Sequence, residues 1–334
     1  MYPFKIVERG MNMWLYLIAA GFALLLGLFI LNQIKFKQAK SAYPPNGSFV
    51  TVEGTKLHYI RKGHGIPVVF LHGGILTAND FEKVVDMASS RGYEAIAFDR
   101  PGYGYSERPL NETVTPADQA RLIHGALQQM GVEKPIIVGH SWSGLLAMTY
   151  ALLYPDEISG VVTLAGAMYK EGYPAENGDP ISKLIVTPVL GTIFLHTVLR
   201  SPLGTTLAGS IVKQTFAPEP VPAGYREATL SLWLRPGQFR ANREDILAFP
   251  PAAEQVSKLY KQIESPVVIV VGEDDPFGAK EQAARLKGDI AHARLMVIPR
   301  VAHMIPQNHP DIVLQAIDMI GGSAKARLAG KTDH

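Results

Sequence analysis

Residues 135–150 read PIIVGHSWSGLLAMTY and carry the most informative pattern in the sequence. It begins as a continuous apolar run, turns at Gly139 into a short segment of small residues, and continues as a helical pattern. A continuous apolar run of this length is typical of a strand buried on both faces of a sheet. The stretch therefore predicts a strand, a tight turn and a helix, with the Ser141 hydroxyl exposed at the carboxyl edge of the sheet.

The turn around Ser141 makes demands on its neighbours. A tight strand-to-helix turn holds the serine in strained backbone geometry, so the residues two positions away must be small. Gly139 meets this demand, whereas Ser143 stands where a glycine is expected. The amino end of the following helix would favour a developing oxyanion. The pattern indicates a nucleophilic serine, with Ser143 as its one departure.

Apolar runs of strand length recur on both sides of this unit. They occupy residues 67–71, 94–98, 160–164, 266–271 and 294–298, and residues 49–52 and 57–60 are typical of a hairpin. Amphipathic stretches such as 116–130 separate many of them. Buried strands that alternate with helices predict the α/β class, with a mostly parallel central sheet covered by helices on both faces.

This alternation stops between residues 168 and 255. The segment lacks a buried-strand signal and is rich in Pro, Leu and aromatic residues, with helical pieces predicted at 181–201 and 225–234. We interpret it as an inserted helical lid. The predicted organisation is an anchor and tether (1–40), the first part of the core (41–167), the lid (168–255), the second part of the core (256–322) and a tail (323–334).

A serine nucleophile needs a base, and the base needs an orienting carboxylate. The strand at 266–271 runs into an acidic segment, Glu273-Asp274-Asp275, and the strand at 294–298 is followed by His303. Both segments lie beyond the carboxyl ends of predicted strands, at the same edge as Ser141. The order Ser, Asp, His is that of one family of serine hydrolases.

Together these segments resemble the α/β-hydrolase fold, in the broad group of lidded esterases, C–C hydrolases, epoxide hydrolases and haloalkane dehalogenases. The resemblance extends from residue 48 to about residue 320. It is carried by FLHGG at 70–74, FDRPGYGYS at 98–106, GHSWSG at 139–144, GEDDP at 272–276, and AHM at 302–304 with Pro310 after it.

The resemblance implies roles for individual residues. It makes Asp275 the acid, with Asp274 and Glu273 as its local rivals, and it makes His303 the base in preference to His292 and His309. It also implies that the backbone N–H groups of Gly74 and Trp142 form an oxyanion hole. Ala302 stands where the family often has glycine.

The identity of the residue at position 141, in the tight turn, restricts the type of reaction. Epoxide hydrolases and haloalkane dehalogenases of this fold use an aspartate there, so Ser141 favours acyl transfer to water. We expect a serine hydrolase that cleaves a carboxylic ester or related acyl bond of a small molecule through an acyl-enzyme. C–C bond or lactone hydrolysis and cofactor-free perhydrolysis on the same triad remain alternatives, as does an anchored binding protein without activity. The substrate is left open.

Other polar residues have plainer interpretations. His72 is expected to support its loop and His140 to pack or hydrogen-bond locally. Asp99 with Arg100 is expected to fix the loop at 101–106, although Asp99 is a reserve orienting acid. The indole of Trp142 is assigned to pocket wall or core.

The apolar residues of the lid leave two interpretations open. Trp233, Leu234, Phe239 and the apolar lid residues that precede them could line an acyl pocket or belong to ordinary lid packing.

The N-terminal residues 13–31 carry no charge and would span roughly 28 Å as a helix, close to the thickness of a bilayer core. We expect a retained single-pass anchor in the lipid bilayer, with a cleaved signal peptide as the rival. The basic residues flanking the run leave the side of the catalytic part open. Residues 32–47 are interpreted as a tether that ends in a turn.

Composition excludes several classes of function. A net charge of +2 gives no basis for nucleic-acid binding, and the absence of cysteine excludes disulfides, thiolate metal sites and a cysteine nucleophile. No His/Asp/Glu cluster has metal-ligand spacing, and no Gly-rich loop is typical of a phosphate site. We therefore expect neither a cofactor nor a metal.

Overall fold

The computed structural model describes residues 3–109 and 113–329, with side-chain surroundings for 13–109 and 113–322. Within these ranges, eight strands form one sheet in the order β1-β2-β4-β3-β5-β6-β7-β8. The strands are β1 (Ser48–Val52), β2 (Thr55–Lys62), β3 (Ile66–Leu71), β4 (Tyr93–Phe98), β5 (Ile136–His140), β6 (Gly160–Leu164), β7 (Val267–Gly272) and β8 (Arg294–Ile298).

The sheet is mostly parallel, as the sequence predicts. β1 pairs with β2 and β2 with β4 in antiparallel fashion, and every pairing from β4 through β3, β5, β6 and β7 to β8 is parallel. β5, β6 and β7 are buried along their whole length, which explains their continuous apolar sequence. The carboxyl ends of β5, β7 and β8 consequently meet at one edge.

Twelve helices accompany the sheet within the described residues. They are α1 (Pro3–Ala42), α2 (Glu82–Ser89), α3 (Pro116–Gln129), α4 (Ser143–Leu153), α5 (Pro180–Ile185), α6 (Pro188–Thr197), α7 (Pro202–Phe216), α8 (Tyr225–Trp233), α9 (Pro236–Val256), α10 (Ala279–Asp289), α11 (Ile305–Asn308) and α12 (Pro310–Ala329). α2 packs on α12 and α3 packs on α4, and each pair contacts the sheet. α12 continues into the predicted tail as far as Ala329, and residues 330–334 lie outside the described residues.

The segment between β6 and β7 is helical, but its elements differ from the prediction. The piece predicted at 181–201 consists of two helices, because Thr187 caps α6 by accepting a hydrogen bond from Gly191 N and Pro188 begins the new helix. The piece predicted at 225–234 corresponds to α8. The prediction missed α7 and α9 altogether; α9 even carries Pro250 and Pro251 inside the helix.

The predicted tether at 32–47 is also wrong for most of its length. α1 continues to Ala42, and Asn32 is fully buried against the body. Its amide donates to the carbonyl of Thr197 (2.8 Å) and accepts from the Arg200 N–H (2.7 Å). These contacts extend the helix beyond the apolar run and leave only a short connection before β1.

By length and composition, Met13–Ala42 of α1 could cross a membrane, and its most apolar window is not buried by the rest of the protein. Residues 13–27 are exposed throughout. A signal sequence passes the same test of length and composition.

Candidate active site

Ser141 lies at the turn between β5 and α4, with a φ of 55°. This left-handed conformation costs a non-glycine residue about 1–2 kcal/mol. Hydrogen bonds hold it in place: Ser141 N donates to Leu164 O, and Ser141 O accepts from the N–H groups of Gly144 and Ala167, each at 2.9 Å. The backbone strain is therefore maintained by the adjoining strand and loop.

The crowding at this turn explains the glycine pattern. A Cβ on Gly139 would lie 2.1 Å from the Ser143 carbonyl oxygen, and a Cβ on Gly144 would lie 2.9 Å from Gly166 Cα. Position 143 accommodates a side chain: Ser143 is fully buried, and its hydroxyl donates to the His72 carbonyl oxygen at 2.6 Å. The departure from the expected motif thus has a structural role.

The loops after β7 and β8 are held together by their backbones. Glu273 N donates to Ile298 O (2.9 Å) and Asp274 N to Val301 O (3.0 Å). A Cβ on Gly272 would lie 2.1 Å from Val301 O, so only glycine permits this approach. The close contact brings the side chain of Asp275 to that of His303.

Three side chains form one hydrogen-bonded chain at this edge. His303 Nε2 lies 2.9 Å from Ser141 Oγ, and His303 Nδ1 lies 2.7 Å from Asp275 Oδ2. The other carboxylate oxygen of Asp275 accepts from Phe277 N at 2.8 Å. The geometry assigns the serine hydroxyl proton to Nε2 and the N–H to Nδ1, which is the arrangement that a general base requires.

Electrostatics keep Asp275 ionised. Its carboxylate side chain is inaccessible to solvent, and burial alone would raise the pKa. The hydrogen bond and charge of His303 outweigh burial and hold the pKa of Asp275 below its ordinary value. An ionised Asp275 can stabilise an imidazolium on His303.

The neighbouring acids do not share this position. Asp274 and Glu273 are exposed. Asp99 accepts hydrogen bonds from Ala78 N and Tyr105 N (both 2.8 Å) and pairs with His58, so it holds loops together instead of contacting His303.

Two further histidines are buried and neutral. Burial, with the nearby charge of Arg100, lowers the pKa of His72 to about 3, and burial, with the nearby charge of His303, lowers that of His140 to about 3. His72 accepts from Arg100 N (2.9 Å), and His140 Nε2 donates to the His303 carbonyl oxygen (3.0 Å). Both hold site loops and neither reaches Ser141.

A cavity of about 430 Å³ opens over Ser141 and His303. Gly74 and Trp142 lie in its wall beside the serine, and the Asn242 amide holds the Gly74 carbonyl at 2.5 Å. Much of the remaining wall is apolar and includes Ile75, Leu76, Ala167, Ile211, Ile246 and Phe277. The cavity suits a small molecule with an apolar portion.

Trp233, Leu234 and Phe239, for which the sequence leaves pocket wall and lid packing open, are not part of this wall, whereas Ile211, an earlier apolar residue of the helical segment, is. Trp233 and Leu234 are each 1% exposed and belong to a second apolar core between the helices of segment 180–256, with Phe239 packed against it. Their large apolar side chains stabilise the helical segment, so the packing interpretation holds. The Trp142 indole is 3% exposed and donates to Asp245 O, while the residue also borders the cavity.

Sequence reasoning missed a charged pair in the cavity wall, Asp179 and Arg243. Arg243 Nη1 lies 3.8 Å from Asp179 Oδ2, and Asp179 also caps α5. Burial lowers the pKa of Arg243, against the attraction of Asp179. No sequence signal joins two residues so far apart in the chain.

A second missed pair supports the site from behind. Arg100 and Asp245 are both completely buried, with Arg100 Nη1 2.6 Å from Asp245 Oδ2. Arg100 also donates to the carbonyls of His72 (3.0 Å) and Gly73 (3.2 Å). This pair connects α9 to the loop that carries Gly74. Within the described side chains, no group of three or more His, Asp or Glu is gathered as a metal site.

This sheet, with Ser141, Asp275 and His303 following β5, β7 and β8, is the α/β-hydrolase fold. A sequence profile described as "alpha/beta hydrolase fold" matches residues 66–183.

The relatives are hydrolases. The chain is 26% identical to the uncharacterized hydrolase YugF of Bacillus subtilis, over 80% of this chain and 94% of YugF. It is 25% identical to a 2-hydroxy-6-oxononadienedioate/2-hydroxy-6-oxononatrienedioate hydrolase of Burkholderia vietnamiensis, over 78% and 90% of the two chains. The solved structure of the esterase EaEST from Exiguobacterium antarcticum superposes with a TM-score of 0.67 at 21% identity, covering 82% of this chain and 99% of the esterase.

Proposed function

We propose that this protein is a serine hydrolase that cleaves a carboxylic ester or a related acyl bond through an acyl-enzyme on Ser141. The observation that carries the proposal is the hydrogen-bonded chain from Ser141 through His303 to Asp275, set at a strained turn beneath an apolar cavity. The esterase EaEST, which has the same fold, supports it.

In this mechanism His303 Nε2 takes the Ser141 proton as Oγ attacks the carbonyl carbon. The imidazolium that forms keeps its Nδ1–H on Asp275, whose lowered pKa favours the ionised partner. His303 then protonates the leaving group, and in the second half-reaction it deprotonates the water that releases the acid. Carboxylic acid and alcohol are the products, and the enzyme is restored.

We assign stabilisation of the tetrahedral oxyanion to the N–H groups of Gly74 and Trp142. Both residues border the cavity beside Ser141, and Trp142 precedes the first turn of α4. Donors fixed in the backbone need no reorganisation when the charge develops. The hydrogen bonds of Asn242 and Ser143 to the loop at 72–74 help to fix one of the two donors. We assign the helices α5–α9 the role of a lid that shapes the cavity.

A second candidate uses the same three residues on a C–C bond or a lactone. The observation in its favour is Arg243, a cation in the cavity wall whose counter-ion lies 3.8 Å away. Such a cation could bind a carboxylate, and the name of the Burkholderia vietnamiensis relative describes a dicarboxylate substrate. Cofactor-free perhydrolysis would require only that peroxide replace water.

We also propose that residues 13–31 anchor the protein in a lipid bilayer. The support is the length of α1, its lack of charge there, and its exposure along residues 13–27.

The test of the nucleophile is covalent labelling with a fluorophosphonate on the full chain in detergent. We expect the wild type to be labelled and Ser141→Ala to remain unlabelled, while Ser143→Ala, which keeps the triad, is still labelled. Equal labelling of the wild type and Ser141→Ala would refute the assignment. An unlabelled but folded wild type would favour a binding protein that has no hydrolytic activity.

Rates of hydrolysis of different substrates then distinguish ester hydrolysis from lactone and C–C bond hydrolysis. We expect p-nitrophenyl esters of graded chain length to be cleaved faster than lactones or a vinylogous diketone. A preference for the diketone that is lost in Arg243→Gln would favour C–C hydrolysis.

A further inference from the structure

An exposed apolar face covers α5, α6 and α7. Its main members are each between 47% and 68% exposed: Ile181, Val189, Leu190, Ile193, Leu203 and Leu207. A concentration of exposed apolar side chains of this kind marks a site of contact with another molecule or with a membrane. We propose that this apolar face lies on the bilayer that holds α1, and that the Ser141 cavity receives an apolar ester from that bilayer. The substrate part of this proposal rests on the proposed function.

The charge pattern of these helices favours lipid. Residues 180–216, which span these helices, contain no Asp or Glu, and their Lys and Arg residues are Lys183, Arg200 and Lys213. Arg200 is directed inward, where it donates to the carbonyls of Leu230 and Ser231. The exposed helical surface of a soluble protein normally carries charged side chains. This surface is instead compatible with the interfacial region of a membrane.

Contacts between α6 and α1 favour the bilayer as the partner that covers the apolar face. Val189, Ile193 and His196 are spaced to share one face of α6. The His196 ring lies 6.1 Å from that of Phe29 and 6.3 Å from that of Phe36, both on α1. The apolar face is therefore continuous with the surface on which α1 docks.

The free part of α1 begins next to this contact. Residues 13–27 are exposed and extend beyond the body, whereas residues 28, 32, 35 and 39 turn toward it. A bilayer that holds the 13–31 segment consequently reaches the place where α6 meets α1. This continuity is what favours a membrane over a second copy of the chain.

The same face reaches the cavity. Leu203, Leu207 and Ile211 follow one another at intervals of four residues along α7, and Ile211 is 43% exposed while it also lines the cavity over Ser141. A molecule could pass from the face into the cavity along this stripe. The substrate class that fits is an ester with a long apolar chain that partitions into the membrane.

The location can be tested without reference to activity. The protein has no cysteine, so Leu207→Cys introduces a single site for an NBD fluorophore in the full chain. The chain is reconstituted into vesicles of phosphatidylcholine and phosphatidylglycerol, with and without doxyl-labelled lipid. Phe22→Cys reports on the anchor, and Leu153→Cys is the matched control, since Leu153 is 43% exposed but ends α4 at the opposite edge of the sheet.

We expect doxyl lipid to quench the label at 207 and at 22 several-fold more than the label at 153. Quenching at 22 alone would overturn the proposal for the face while leaving the anchor. Quenching at neither 22 nor 207 would overturn both, and fluorophosphonate labelling of Ser141 would still test the hydrolase independently. Emission at 207 that changes with protein concentration instead of lipid would assign the face to a second copy and overturn the proposal.

The substrate class needs a second measurement. The double variant Leu203→Glu with Leu207→Glu should lower kcat/KM about tenfold or more for a long-chain fluorogenic ester held in the vesicles, because two apolar side chains lose their lipid contact. Hydrolysis of dissolved p-nitrophenyl butyrate should be unchanged, and Leu153→Glu should affect neither substrate. Unchanged activity on the vesicle ester would overturn the substrate class. Loss of activity on both esters would indicate that the double variant is misfolded. The quenching of the cysteine-linked labels would then decide whether the face lies on the bilayer.

Discussion

The Ser143 hydroxyl donates a 2.6 Å hydrogen bond to the carbonyl oxygen of His72, and this contact connects the turn that carries Ser141 to the loop that carries Gly74. The two proposed oxyanion donors lie on these two segments. A serine at position 143 therefore couples them, which a glycine could not do through a side chain.

Ser143→Ala should remove this coupling with little change in volume. We expect a loss of about 1 kcal/mol in the free energy of unfolding, since the His72 carbonyl keeps its bond from Arg100. We also expect kcat to fall more than KM rises, because the oxyanion donors matter most in the transition state. Denaturant unfolding and steady-state kinetics on one ester measure both effects. An unchanged kcat would show that the loop position does not depend on Ser143.

Asp275→Asn should lower kcat roughly a thousandfold or more, because an amide cannot hold His303 in the required tautomer and stabilise its charged form. Asp274→Asn is the matched control: its side chain is exposed, and we expect activity within experimental error of the wild type. Steady-state hydrolysis of one p-nitrophenyl ester gives kcat for the wild type and both variants. A larger effect from Asp274 than from Asp275 would reverse the assignment of the acid.

Asp80 should make stability depend on pH. Burial raises the pKa of its carboxyl to about 6, against the hydrogen bond from Tyr225. The folded protein then binds a proton that the unfolded chain has released between about pH 4 and pH 6, so stability falls as pH rises through this window. Across this pH window the free energy of unfolding of the wild type should fall by about 2–3 kcal/mol relative to that of Asp80→Asn.

Denaturant unfolding in mild detergent at pH 4 and pH 7 measures this difference. Glu82→Gln is the control, because Glu82 is exposed two positions away and should show no such change. Parallel pH curves for the wild type and Asp80→Asn would contradict the prediction.

Asp245→Asn should destabilise the protein by about 3–5 kcal/mol, because it leaves Arg100 as a buried charge without its partner. Glu244→Gln, one residue away, removes a carboxylate whose side chain is 30% exposed and should cost about 1 kcal/mol or less. Thermal unfolding distinguishes the two. Similar melting temperatures for both variants would mean that the buried pair contributes little.

The strands, and the serine, acidic and histidine-containing segments that follow three of them, could be predicted because each is a local signal; the choice of Asp275 and His303 within those segments came from the resemblance. A strand buried on both faces is recognised as a continuous apolar run. The residues that follow such a strand lie at the edge of the sheet, regardless of how the helices pack. The α/β class and the mostly parallel sheet were confirmed for this reason.

The helical segment could not be predicted equally well, because its signals are weak or non-local. α7 is rich in Gly and Thr, and α9 contains two prolines, so propensity argues against both although packing stabilises them. Arg243 and Asp179 meet only through the tertiary fold. By residue type alone, Trp233 could have lined a pocket, but it is buried in the second apolar core.

The side chain of Asn32 has a practical consequence for anyone preparing a soluble form. Deleting α1 up to Ala42 would remove more than the exposed apolar part of this helix. It would strip the Thr197 carbonyl and the Arg200 N–H of their hydrogen-bond partner and uncover the surface of α6 that α1 occupies. A truncation placed before Leu28 would keep these contacts intact. A truncation placed at Tyr43 would instead expose to solvent the surface of α6 that α1 covers.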